Sequence, residues 1–109
     1  MQVITRLKIG NDKHFFSIGP MELLQNIETF SSIRKATDSM GMSYTKALRI
    51  LRTMEEELGF AVVISEKGGS NHGKTTLTEQ GRLVLHTFQG IQADVSQYAE
   101  KLVKERFIF

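Results

Sequence analysis

Residues 33–54, "IRKATDSMGMSYTKALRILRTM", carry two apolar patterns separated by a glycine. Ile33, Ala36, Thr37 and Met40 recur at helical spacing, and Gly41 sits where a left-handed residue stops a helix. Ser43 then offers its hydroxyl to the free amides of a new first turn. Beyond it Ala47, Ile50, Leu51, Met54 and Leu58 form a second stripe that ends at Gly59. Two helices joined by so short a turn make a helix-turn-helix, here over residues 32–58, whose second helix can lie in a DNA major groove. Small residues at Ala36 and Thr37 let the helices cross closely, and Met40, Met42, Ala47 and Ile50 are expected in their shared core. What remains outward is Ser43, Tyr44, Thr45, Lys46 and Arg49, with Arg52 and Thr53 at the periphery. Arg and Lys can donate to guanine edges or phosphates, and Ser, Thr and a capped helix start donate to phosphates. Leu48 fits either the core edge or contact with a thymine methyl group.

Downstream, FAVVISEK is rich in β-branched residues, GGSNHGK is glycine-rich, and TTLT is again β-prone, so residues 60–78 read as a second hairpin. A helix-turn-helix followed by a hairpin with a basic tip is a winged helix, and the tip can lie along the DNA backbone. Lys67, Asn71, His72 and Lys74 are the candidate contacts there. The same tip, GGSNHGKT, also fits the phosphate-loop pattern G-x-x-x-x-G-K-[ST]. That loop needs a strand running straight into the glycines and a helix starting at the Lys-Thr pair. Glu66 and Lys67 intervene before Gly68, and Thr75, Thr76 and Thr78 favour a strand. No apolar strand ending in a magnesium-binding Asp follows, so nucleotide hydrolysis is not expected.

Upstream, residues 3–9 (VITRLKI) alternate apolar and polar, Gly10-Asn11-Asp12 supplies a turn, and HFFSI follows, which reads as an N-terminal β-hairpin. Pro20 opens a first helix with Leu23, Leu24, Ile27 and Phe30 on one stripe. After the wing, a long helix is expected over 79–105. Val84, Phe88, Ile91, Val95, Tyr98 and Leu102 are spaced there in the a/d rhythm of a coiled-coil seam, interrupted by Gly90. A helix of about 27 residues runs about 40 Å, longer than a small domain is wide. Part of its seam should therefore pair with a second copy, giving a homodimer that sets two recognition helices on one face of double-stranded DNA.

The 109 residues fit one α+β domain over 1–109. The absence of cysteine removes disulfides and thiolate metal sites, and the three histidines are scattered, so no metal and no cofactor is expected. Lys and Arg number 14 against 12 Asp and Glu, so placement matters more than the net charge of +2. Residues 34–52 carry Arg34, Lys35, Lys46, Arg49 and Arg52 against Asp38 alone, and Glu55, Glu56 and Glu57 follow as a block expected to be solvated. No converging pair of acid and base is visible, so the chain is not expected to be an enzyme. No stretch has the length of a signal peptide or a membrane span, and a cytoplasmic location is expected.

From Gly41 to Gly81 the sequence resembles the DNA-binding region of LysR-type regulators, and more closely that of ModE-type molybdate-dependent transcriptional regulators. The resemblance rests on Gly41, Ser43 and Tyr44 at the start of the recognition helix, on Ala47 and Met54 on its inner face, on the glycine-rich wing, and on the exit Leu77-Thr78-x-x-Gly81. The hairpin and first helix over residues 3–30 are similar too. The resemblance implies a transcriptional regulator. ModE-type proteins also attach C-terminal oxyanion-binding domains, for which this sequence leaves no residues after Phe109, so a DNA-binding domain without a molybdate sensor is expected. The alternative is a winged-helix module whose same faces bind protein.

Overall fold

The computed structural model describes residues 2–66 and 73–109. Two short strands, β1 (Ile9–Gly10) and β2 (His14–Phe16), lead into three helices, α1 (Ile18–Phe30), α2 (Ile33–Met40) and α3 (Tyr44–Leu58). Strands β3 (Val63–Glu66) and β4 (Lys74–Leu77) follow, and α4 (Glu79–Arg106) closes the chain. The class is α+β. Each sheet is a two-stranded antiparallel pair, β1 with β2 and β3 with β4.

Local chemistry sets the helix ends. Ser32 and Ser43 have extended backbones and their hydroxyls accept from the amides of Lys35 and Lys46, each at 3.1 Å, which starts α2 and α3. Thr78 does the same for α4, accepting from Gly81 N at 2.9 Å while donating to the carbonyl of Ala61 at 2.8 Å. Gly41 at φ 65° and Gly59 at φ 82° end α2 and α3 in left-handed geometry that disfavours a Cβ. Ser31 ends α1 in the same region at φ 53°.

The core gathers one face of every helix around α1. Leu23, Leu24 and Ile27 of α1 are buried with Ala36 of α2, Ala47 and Met54 of α3, Val62, and Leu85 and Phe88 of α4. Phe16 brings β2 into this core, its ring 4.8 Å from that of Phe88 and tilted by 56°. The wing strands are tied in from both sides. Thr75 N donates to Ser31 O at 3.0 Å, and Thr78 N donates to Val62 O at 2.9 Å.

Two expectations change. The N-terminal hairpin pairs only at Ile9 with Phe16 and Gly10 with His14, because the partner strand gives way to α1 after Phe16. Residues 3–8 form no strand, and Thr5 is tied to α4, where Gln92 Nε2 donates to Thr5 Oγ1 at 2.8 Å and Thr5 and Ser96 hydroxyls meet at 2.8 Å. The glutamates are the second. Glu55 Oε2 accepts from Val62 N at 2.7 Å, fastening the end of α3 to the root of the wing. A carboxylate seven residues upstream thus satisfies an amide where the chain turns into β3.

Candidate nucleic-acid interface

Helix α3 divides cleanly by face. Ala47, Leu51 and Met54 are buried against the core, while Thr45, Arg49 and Arg52 stand on the opposite side and are exposed. Lys46 is exposed and Thr53 half-buried on one flank of that face; Leu48 lies on the other, 37% exposed, which places it at the rim and out of the core. Ser43 is exposed at the cap, with its hydroxyl engaged by Lys46 N. The outward surface therefore offers two guanidinium groups, an ammonium and a hydroxyl within two turns of one helix.

Tyr44 is partly exposed at the first turn, and the guanidinium of Arg34, from α2, sits 4.7 Å from its ring centroid. Arg34 is exposed and adds a cation beside the capped start of α3. Sequence spacing does not point to it, because the contact crosses from one helix to the next. Its only sequence signal is membership of the basic run from Arg34 to Arg52.

Lys74 is exposed at the start of β4, opposite Glu66 in the strand register. Thr75 and Thr76 continue the strand and α4 starts at Glu79, so the Lys-Thr pair opens a strand where a phosphate loop would open a helix. The candidate residues Lys67, Asn71 and His72 lie outside the described residues. Among the described residues, no group of three or more His, Cys, Asp or Glu is placed to hold a metal ion. No helix there is long and apolar enough to cross a membrane.

Lys46, Arg49 and Thr53 also form one wall of a groove of about 480 Å³ whose other wall comes from the N-terminal segment, with His14 and Ser17. Taken together, the α3 surface and this groove are rich in donors and positive charge. Their chemistry is hydrogen-bond donation and charge neutralisation toward an anionic partner.

Comparison with known proteins gives this geometry a setting. No protein-family model matches the chain. No curated protein sequence matches it. Among solved structures, the BenM DNA-binding domain in complex with benA site 1 DNA superposes with a TM-score of 0.59 at 18% identity, covering 82% of this chain and 94% of that one. The same domain with catB site 1 DNA gives 0.58 at 18% identity, over 82% and 93% of the two chains. The fold is a winged helix. In that frame α2 and α3 are the helix-turn-helix, β3 and β4 the wing strands, and α4 the C-terminal helix. At this level of identity the likeness carries the fold, and the residues of the interface rest on their own geometry.

Proposed function

We propose that this protein is a DNA-binding transcriptional regulator of the winged-helix type. It places α3 in the major groove of double-stranded DNA and the glycine-rich wing on the backbone. The observation that carries the reading is the exposed, donor-rich face of α3 formed by Thr45, Lys46, Arg49 and Arg52 on the second helix of a helix-turn-helix. The fold likeness to a DNA-binding domain crystallised on DNA supports it. Arg49 and Arg52 read base edges, Ser43, Tyr44, Thr45 and Lys46 hold flanking phosphates, and Lys67, Asn71, His72 and Lys74 hold the backbone from the wing.

The ModE-type resemblance of the sequence narrows the proposal to that kind of regulator, acting in the cytoplasm without catalysis, with residues 1–109 forming one DNA-binding domain. The protein works as a homodimer joined through α4. The test is a gel shift against genomic fragments at two salt concentrations, with Arg49→Ala and Lys46→Ala beside the wild type. Arg49→Ala should cost about 1–3 kcal/mol on the preferred sequence and blur discrimination at one base pair. Lys46→Ala should weaken binding evenly across sequences and make the salt dependence shallower. Failure of the wild type to bind any fragment at low salt would assign the surface to a protein partner.

A further inference from the structure

The groove between the N-terminal hairpin and α3 extends beyond the recognition face itself. Its walls are His14 and Ser17 on one side and Lys46, Arg49 and Thr53 on the other, above a floor that includes Ile50. All five wall residues can donate a hydrogen bond, and among the described residues no acidic side chain lines the groove. Just outside the groove the hairpin turn exposes Lys13, next to His14 at the start of β2, and the neighbouring Asp12.

Helical geometry places this groove on a definite side. Lys46 and Glu55 are nine residues apart, which at 100° per residue is about 180° around the helix axis. Glu55 holds the root of the wing through Val62 N, so the wing springs from one flank of α3 and the hairpin covers the opposite flank. A recognition helix in the major groove has a phosphate backbone on each side of it.

Resting on the DNA-binding reading above, we infer that the β1–β2 hairpin is a second wing. His14, Ser17 and Lys13 grip a backbone phosphate on the flank of α3 opposite the β3–β4 wing, sharing that phosphate with Lys46. The partner is the same duplex that α3 enters, chosen by charge complementarity: the cations Lys46 and Arg49 beside His14 and Ser17, with no carboxylate among the described lining residues, fit a phosphodiester. The contact carries register and affinity, and no base information.

The test uses the full chain, with Lys13→Ala/His14→Ala and His14→Lys, on a labelled duplex enriched from a random-sequence pool and on a scrambled duplex. The double variant should bind both about 3- to 10-fold more weakly by the same factor, with the slope of log affinity against log salt shallower by about one. His14→Lys should retain or strengthen binding. Circular dichroism and melting of the double variant should match the wild type, since both side chains are exposed. Wild-type affinity and slope in the double variant, with Arg49→Ala still impaired, would overturn the second wing and leave the α3 reading standing. A wild type that binds neither duplex would remove both. Nuclear magnetic resonance shifts at His14 and Lys46 on adding inorganic phosphate, with duplex affinity unchanged in the double variant, would reassign the groove to a free oxyanion and overturn the inference.

Discussion

Two glycines of α4 show how one atom's surroundings decide a residue. A Cβ placed on Gly81 collides with the carbonyl oxygen of Val62, so the first turn of α4 packs directly on the backbone at the root of the wing. The obstacle is main chain and cannot swing aside. Gly81→Ala should therefore destabilise the protein by about 1–3 kcal/mol, the cost of forced overpacking, read as a lower denaturation midpoint. Gly90 lies further along the same helix, exposed, with nothing within 4 Å of the point where a methyl group would stand. Gly90→Ala should raise stability by about 0.5–1 kcal/mol, because it removes backbone freedom from the unfolded chain without a clash. Opposite signs in one helix, measured by urea unfolding under one set of conditions, would separate close approach from intrinsic helix propensity; equal signs would contradict the packing at Val62.

The elements that hold the interface together are joined by contacts that cross the chain. Glu55 accepts from Val62 N, which ties the end of α3 to the root of the wing. Glu55→Ala leaves a partly buried amide without its acceptor and should cost about 1–3 kcal/mol, whereas Glu55→Gln keeps a carbonyl acceptor and should cost less. Hydrogen exchange at Val62 reads the difference: fast in the alanine variant, protected in the glutamine one. Such links explain what was legible in the sequence. The caps at Ser32 and Ser43, the stops at Gly41 and Gly59, and the outward set from Ser43 to Arg52 follow from i to i+3 geometry and helical period, which the sequence displays directly. The alternation of residues 3–9 was also readable, and every second residue from Val3 to Ile9 is indeed half-buried. Its partner was not, since a period of two reports one covered face and is silent on whether a strand or, as here for Thr5, a helix covers it. Arg34 over Tyr44, Glu55 on Val62 and His14 facing Lys46 across a groove arise from tertiary approach and have no local signature.

At the scale of the molecule, α4 reaches beyond the body it stabilises. Its 28 residues run about 42 Å, and the protein measures 64 × 28 × 23 Å. The seam is used unevenly. Phe88 is 2% exposed, whereas beyond it Ile91 and Val95 are each 39% exposed and Tyr98 62%, although all four keep the same heptad rhythm. The N-terminal segment covers another side of the helix through Thr5, which meets Gln92 and Ser96, leaving the seam itself open. The proposed homodimer would set a second copy of α4 on this seam, where knobs at Ile91, Val95 and Tyr98 meet holes with the same spacing. Val95→Glu/Tyr98→Glu would set charges against a symmetric partner while disturbing little within one protomer. Sedimentation velocity at micromolar concentration should then show the wild type as a dimer and the variant as a monomer, with helical content by circular dichroism preserved. On a duplex with two half-sites the variant should lose the gain that comes from tethering two recognition helices, about 10²- to 10⁴-fold, while its affinity for a single half-site stays unchanged. A monomeric wild type, or a variant that remains dimeric, would place the pairing surface elsewhere than on this seam.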